Sequence, residues 1–175
     1  MVNKELKIQI PEPNIKRMTI AIKGTAPILF HKWSEKAIRM ILDKQMKKAT
    51  KGREVRDPEK EYENSFYKNK AGNIAIPARN IKQALVGSAR FLQGIPMTIL
   101  RGAIFVVGDN DGLIELKYKK KTMRQDMVVI GLGSADIRFR GMLDGWSAEF
   151  IIKYDADLLS AEQVLNLLQR SGFSQ

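Results

Sequence analysis

The stretch from residue 72 to residue 92 most constrains what this chain can fold into. It opens with Gly-Asn-Ile-Ala-Ile, a pattern typical of a short apolar strand, and then places Pro77 where a helix would begin. Proline suits the first position of a helix, because its missing N–H would be unpaired there in any case. Apolar residues then recur at helical spacing, which predicts a basic amphipathic helix over 78–92. The start of this helix, beside Arg79 and Lys82, either holds a phosphate or belongs to an ordinary surface helix.

The charge of the chain favours a polyanionic partner. Its 175 residues include 30 lysines and arginines against 19 acidic residues, a formal net charge of +11. Such a balance favours nucleic acid or an anionic membrane surface. No segment reaches the roughly 20 apolar residues of a membrane-spanning helix, and the first five residues do not resemble a secretory signal. We therefore expect a cytoplasmic protein without a membrane partner, and nucleic acid as the polyanion.

The scarcity of metal-ligating side chains narrows the possible chemistry. The chain has no cysteine and one histidine, His31. Disulfides and thiolate metal sites are therefore impossible, and most histidine-based metal schemes are removed. We predict no metal and no cofactor.

The first half of the chain predicts a strand, a helix and a charged insertion. Residues 17–23 alternate between apolar and polar side chains, as a half-buried strand does. Ser34 is placed to cap a helix over 35–48. The predicted buried stripe of this helix consists of Ala37, Ile38, Ile41, Leu42 and Met46. Residues 49–71 are highly charged and predict a solvated loop or a protruding hairpin, whose aromatic residues anchor it or stack on bases: Tyr62, Phe66 and Tyr67.

The second half predicts several strands and a closing helix. Apolar runs predict strands over 97–107, 113–118, 127–132 and 146–154, with further extended chain around Ile137–Arg140 and a hairpin turn at 108–112. Ser160 and Gln163 form a predicted capping box before a last helix that ends near Gly172. Its apolar residues are Val164, Leu165, Leu167 and Leu168. This order favours an α+β sheet with helices on one face, in a single domain over 1–175 with an insertion at 49–71.

Three stretches of the chain resemble the RAMP superfamily, and in particular the backbone subunit of CRISPR effector complexes. They are IPARNIKQALVGSAR in the middle, GTAPILFHKWSEKA after the first strand, and DIRFRGMLDGWSAEFIIKYD before the last helix. The layout is also similar to that of bacteriophage and prophage proteins that share these stretches. The resemblance implies an elaborated ferredoxin-like (RRM-like) fold in which residues 49–71 form a protruding thumb.

One part of the family pattern is missing from this sequence. RAMP proteins follow their last helix with a glycine-rich loop and a final strand, whereas here the chain stops at Gln175. We expect either that the fourth strand is absent, that Leu6–Ile10 supplies it, or that the chain continues naturally beyond this sequence.

Two residues are candidates for catalysis. The resemblance suggests His31 as a general base for RNA cleavage, since some RAMP nucleases use a histidine in that way. It suggests Asp57 as well, because target-cutting backbone subunits use an aspartate in the thumb. A histidine at a strand end is more often structural, and a charged loop contains aspartates by chance. Since neither has an identifiable partner in the sequence, we predict that the protein is not an enzyme.

Basic residues supply the predicted nucleic-acid contacts. A run of charge is usually a solvated face, but here three runs have few compensating acids and lie near aromatic residues. The predicted contact residues are Lys32, Lys47, Lys48, Lys51, Arg53, Arg56, Arg79, Lys82, Lys119, Lys120, Lys121, Arg124, Arg138 and Arg140.

The sequence thus leads to three competing functions. The preferred one is sequence-independent binding of single-stranded nucleic acid, RNA rather than DNA, by a RAMP-like protein that assembles into a homo-oligomer or with CRISPR-type effector subunits. The second is a phage-borne mimic of such a subunit that inhibits a host complex. The third is a RAMP endoribonuclease.

Overall fold

The computed structural model describes residues 11–48, 55–131 and 133–173 of the chain. They form an α+β structure with antiparallel sheets. The helices are α1 (Glu35–Gln45), α2 (Pro58–Asn64), α3 (Ala78–Ser88), α4 (Met97–Ala103) and α5 (Ala161–Phe173). The strands are β1 (Ile15–Lys23), β2 (Ile28–Phe30), β3 (Tyr67–Lys68), β4 (Ile74–Pro77), β5 (Ile104–Val107), β6 (Leu113–Lys117), β7 (Lys120–Ile130), β8 (Ser134–Asp144) and β9 (Ser147–Asp155).

Two compact units divide the chain. Unit 1 takes in the described residues of Met1–Thr19, Arg79–Val107 and Ile151–Gln175. Unit 2 consists of the described residues of Ile20–Ala78 and Gly108–Phe150. Strands β1 and β9 therefore each begin in one unit and end in the other. The interpretation of the chain as one domain stays a prediction.

Unit 1 is built on the later half of β9. Strand β5 pairs antiparallel with it, from Ile104 opposite Tyr154 to Val107 opposite Ile151. The largest fully buried side chains of this unit are Leu85, Val86, Ser88, Leu100, Ile104, Ile152, Val164 and Leu167. Helices α3, α4 and α5 thus supply most of the apolar core of unit 1 beside the strands.

The predicted capping box at the start of α5 is confirmed. The Ser160 hydroxyl accepts a hydrogen bond from the Gln163 amide at 3.1 Å, and the Gln163 side chain accepts one from the Ser160 amide at 2.8 Å. The predicted helix end is wrong, because α5 continues through Gly172 to Phe173.

Unit 2 contains a meander of short antiparallel strands. Strand β4 pairs with β3 on one side and with β6 on the other, and β6 pairs with the first residues of β9. The predicted turn at 108–112 is confirmed. There the Asp109 carboxylate accepts hydrogen bonds from the amides of Asp111 (2.9 Å) and Leu113 (2.8 Å).

Strands β2, β8 and β7 form a separate three-stranded sheet of unit 2, which we call the arm. β7 and β8 pair along their whole length, from Lys120 opposite Asp144 to Ile130 opposite Ser134. Because side chains alternate between the faces of a sheet, the arm has two different faces. The charged face carries Arg124, Asp126, Asp136, Arg138 and Arg140, and the apolar face carries Met123, Met127, Val129 and Ile137.

Aromatic packing fixes the base of the arm. The Phe66 ring lies against Gly141, at a place where any Cβ would collide with it. Phe30 packs on Phe66 with ring centroids 5.1 Å apart, and the Ser65 hydroxyl accepts a hydrogen bond from the Gly141 amide at 2.8 Å. The glycine is therefore required by this close approach of ring to backbone.

Part of the insertion is a helix and not the solvated loop or hairpin that the sequence predicts. Residues 58–64 form helix α2, because Asp57 caps it by accepting a hydrogen bond from the Lys60 amide at 3.1 Å and Pro58 occupies its first turn. Residues 49–54 of the insertion lie outside the described residues, as does the predicted strand Leu6–Ile10.

Three other predictions of local structure need correction. Residues 97–103 are helix α4, and the strand begins only at Ile104, since a continuous apolar run suits either element. Pro77 ends strand β4 and does not occupy the first position of α3, and the helix predicted over 78–92 begins at Ala78 but ends at Ser88. The predicted stripe of α1 is wrong, because none of the residues of that helix is buried.

Candidate nucleic-acid interface

An open cleft of about 420 Å³ lies in unit 2 beside β4, β6 and the start of β7. The lining residues are Lys68, Gly72, Asn73, Ile74, Glu115, Leu116, Lys117, Tyr118 and Lys121. Three lysines and one glutamate line the cleft, and the carboxylate of Glu63 pairs with two of those lysines, so one positive charge remains in excess.

Lys121 is held in place by an anion and two rings. Glu63 forms ion pairs with Lys121 and, at 2.9 Å, with Lys68. The Lys121 ammonium lies 5.1 Å from the centre of the Tyr62 ring and 4.9 Å from that of Phe66. The hydrogen bonds that Glu63 accepts from Lys121 and Lys68 lower the pKa of its carboxyl group. Glu63 is therefore ionised at neutral pH and keeps both ammonium groups at the cleft.

The chain that leads into β7 carries cations without such partners. Among the described residues, Lys117, Lys119 and Lys120 form no ion pair with a carboxylate. Tyr118 lies between them in the sequence and is 41% exposed. An exposed ring flanked by free ammonium groups can stack on a base while the lysines neutralise phosphates.

A second group of charges occupies the charged face of the arm. Arg124 donates a hydrogen bond to Asp126 at 2.8 Å, and Arg140 lies 3.4 Å from the other oxygen of the same carboxylate. Arg138 Nη1 lies 2.8 Å from His31 Nε2, and its Nε lies 3.6 Å from Asp136. Burial, followed by the charges of Arg140 and Arg138, lowers the pKa of His31.

The structure gives Arg56 and Asp57 local structural contacts. Arg56 makes a two-pronged pair with Glu61, at 2.8 and 2.6 Å, and reaches Asp136 at 2.7 Å. Asp57 is the N-cap of α2, so its carboxylate already accepts a backbone hydrogen bond. Arg56 thereby joins the insertion to the arm, whereas the contact of Asp57 lies within the insertion.

The remaining predicted contact residues are spread over the molecule. Lys32 lies 5.8 Å from the centre of the Tyr67 ring, and Lys48 pairs with Asp43 at 3.4 Å just after α1. Lys47, also after α1, is exposed and has a positive φ of 54°. In unit 1, Arg79 is exposed and the Lys82 ammonium donates to the Arg101 carbonyl at 2.8 Å. Lys51 and Arg53 lie outside the described residues.

Sequence reasoning missed the residues that organise these charges. In the sequence, Glu63 is one of several acids in the charged insertion, and Asp126 and Asp136 are isolated acids close to basic residues. No sequence pattern therefore distinguishes them. Tyr118 was also missed, although its place inside a run of lysines was a usable signal. The aromatic residues of the insertion were weighed as anchors or as stacking platforms. Phe66 is buried and packs edge-on with Tyr62 at 5.4 Å, which makes the pair an anchor.

Two other kinds of site are absent from the described residues. No group of three or more histidine, aspartate or glutamate side chains is placed to hold a metal ion in the described part of the chain. Within the same residues, no helix combines the length and apolar character needed to cross a membrane.

Comparison with known proteins identified no relative of this chain. No protein-family model matches the chain, and no curated protein matches it.

Proposed function

We propose that this protein binds single-stranded nucleic acid without sequence preference, with RNA favoured over DNA. The observation that carries the proposal is the cationic cleft of unit 2 with the exposed Tyr118 on its rim. A backbone that is read by ammonium groups and a base that is held by stacking give affinity without sequence readout. The net charge of +11 supports the same class of partner.

The proposal includes a family and an assembly. The three stretches that resemble RAMP proteins, together with the antiparallel α+β structure, support an elaborated ferredoxin-like fold of that superfamily. We propose a cytoplasmic, non-enzymatic subunit that assembles along the strand, either with its own copies or with CRISPR-type effector subunits. The exposed aliphatic residues of the arm, such as Met127 and Val129, support a protein partner.

Fluorescence anisotropy with labelled single strands tests the binding proposal. Short RNA and DNA strands of mixed and uniform sequence should bind with similar affinity, and the affinity should fall steeply with salt. Each phosphate that is neutralised contributes about 0.7 to the slope of log affinity against log salt. An affinity independent of salt, or no binding at low salt, would contradict the proposal.

A pair of charge variants locates the interface. Reversal of Lys117, Lys119 and Lys120 to Glu should weaken binding to every strand and flatten the salt slope. Reversal of three exposed lysines that do not line the cleft, Lys16, Lys23 and Lys60, changes the net charge equally and serves as the control. Equal losses in both variants would show that only net charge matters and that the cleft is not the site.

A substitution at Tyr118 separates stacking from charge. Tyr118→Ala should weaken binding by about 1–3 kcal/mol, the usual contribution of a ring stacked on a base. Tyr118→Phe keeps the ring and should retain most of the affinity. Equal losses in the two variants would contradict stacking.

A further inference from the structure

The single histidine of the chain is a hydrogen-bond acceptor in this structure. His31 directly follows β2, and the register of β2 on β8 carries it to the position opposite Arg140. Its Nε2 lies 2.8 Å from Arg138 Nη1. A guanidinium group can only donate, so Nε2 must accept and the ring proton must be on Nδ1. The imidazole is therefore neutral, although it faces two cations.

The charged face around this histidine contains more positive than negative charge. Arg124, Arg138 and Arg140 are matched by two carboxylates, Asp126 and Asp136. Asp136 is in addition shared with Arg56 at 2.7 Å, a shorter distance than the 3.6 Å to Arg138. The cluster thus has an excess of positive charge, which favours an anion such as a phosphodiester.

The contacts of Arg140 are also incomplete. Its Nε is shielded from solvent and has no hydrogen-bond partner among the described residues, and Asp126 Oδ2, 3.4 Å from its Nη1, has none either. Unmade hydrogen bonds at buried polar atoms cost free energy. A movement of this guanidinium towards an anion would therefore break no hydrogen bond at Nε.

We propose that His31, Arg138 and Arg140 form a phosphodiester site in which the anion replaces His31 as the acceptor of the Arg138 hydrogen bond and His31 takes up a proton. The released Nε2 then carries the proton, which comes from solvent, and donates to the phosphate oxygen. The inference rests on the proposed function, because the phosphodiester is that of the bound strand. Arg138 and Arg140 of β8 lie close enough to His31 to lower its pKa. Asp136 of β8 and Arg124 and Asp126 of β7 lie on the same face of the arm, and Arg56 reaches Asp136 from the insertion.

The direction of the pH dependence follows from this exchange. Without an anion, burial and the two arginines keep the pKa of His31 below its ordinary value of 6.5. A bound phosphate supplies a negative charge and an acceptor, so the pKa of His31 is higher in the complex. Between the two values, affinity should fall up to tenfold for each unit of rising pH, and above both it should be constant.

Nuclear magnetic resonance of the imidazole tests the site directly, since the chain has one histidine and its ring signals are unambiguous. The midpoint of the His31 titration should rise when dimethyl phosphate or a short oligouridine is added. A midpoint unchanged by both would overturn the inference. The wild-type titration is decisive even where a variant fails to fold.

A second experiment measures strand binding as a function of pH. Oligouridine affinity should increase towards acid pH in the wild type, and His31→Gln, which stays a neutral acceptor, should remove the increase attributable to this residue. An identical pH profile in the two proteins would contradict the inference. If the strand binds and the midpoint of the His31 titration does not change, the proposed function stands and the site at His31 is ruled out. A midpoint raised by dimethyl phosphate without any strand binding supports the anion site and removes the proposed function.

Discussion

Helices α1 and α5 begin alike, and they differ in what covers them. Each is amphipathic and each has a serine at its N-cap, Ser34 and Ser160, whose hydroxyl accepts a backbone hydrogen bond at 3.1 Å. Helix α5 buries Val164 and Leu167 completely, whereas no residue of α1 is buried. An amphipathic pattern therefore predicts that a helix has an apolar face, but it does not predict that the same chain covers it.

The arm repeats this contrast between its base and its far end. At its base, Gly141 lies against the Phe66 ring and Leu143 is fully buried. Towards its far end, Met127 is 80% exposed and Val129 is 73% exposed. Burial in this chain thus follows the position of a residue along its element as much as its hydrophobicity.

The largest effect is expected at the buried face of α5. Leu167→Ala should lower the free energy of unfolding by about 2–5 kcal/mol, because it removes apolar contacts and leaves a cavity. Leu165→Ala in the same helix is the control, since Leu165 is 51% exposed and its truncation should stay within about 0.5 kcal/mol. Urea unfolding followed by circular dichroism measures both. Similar losses for the two leucines would mean that the two faces of α5 do not differ as described.

At the base of the arm, the expected loss is somewhat smaller. Gly141→Ala forces a Cβ into the Phe66 ring and should cost about 1–3 kcal/mol. Gly87→Ala in α3 meets no atom within 4 Å and should instead stabilise the protein by about 0.5–1 kcal/mol. The two variants are compared by their unfolding midpoints. A neutral Gly141→Ala would contradict the close packing of the arm base.

The two serine caps offer a matched comparison of the helices. Ser160→Ala should lower global stability by about 1 kcal/mol, because α5 is part of the core. Ser34→Ala should leave the global midpoint unchanged and accelerate amide exchange within α1, because an uncovered helix opens by itself. Hydrogen exchange read by mass spectrometry resolves the two segments. A global loss from Ser34→Ala would show that α1 is coupled to the core.

The smallest change in stability is expected from a substitution on the apolar side of α1. Ile41 is 40% exposed, so Ile41→Lys should change the free energy of unfolding by about 0.5 kcal/mol or less at low protein concentration. Analytical ultracentrifugation of the same variant reports whether association is affected. A loss as large as that of Leu167→Ala would mean that α1 is buried in solution.

The sequence predicted those parts of the fold in which local pattern and final packing agree. The alternation over 146–154 puts Ala148, Phe150, Ile152 and Tyr154 on one face of the strand, and the structure buries all four. The turn at Asp109 and the cap at Ser160 follow from local chemistry. It failed at 97–103, where a continuous apolar run suits a helix or a strand equally well. The stripe of α1 failed for a different reason, since its burial depends on elements far away in the sequence.

The sequence predicts the positive charge of the candidate site, but it does not predict which charged side chains pair with each other. Lys119, Lys120 and Lys121 look equivalent in the sequence, yet only Lys121 is paired with a glutamate, 58 positions away. In the same way, the contact of Arg138 with His31 joins residues 107 positions apart. Pairings over such distances depend on the strand register of the arm, which no local pattern specifies.

Strand β9 limits how this protein can be divided for experiments. Its first residues pair with β6 in unit 2, and its last residues pair with β5 in unit 1. A fragment that ends at residue 150 would keep the arm and lose the half of β9 on which β5 rests. Both the backbone of β5 and Ile104 would then face water. Gene truncation at this boundary should therefore yield aggregating products, and point substitutions in the intact chain are the better means of separating the two units.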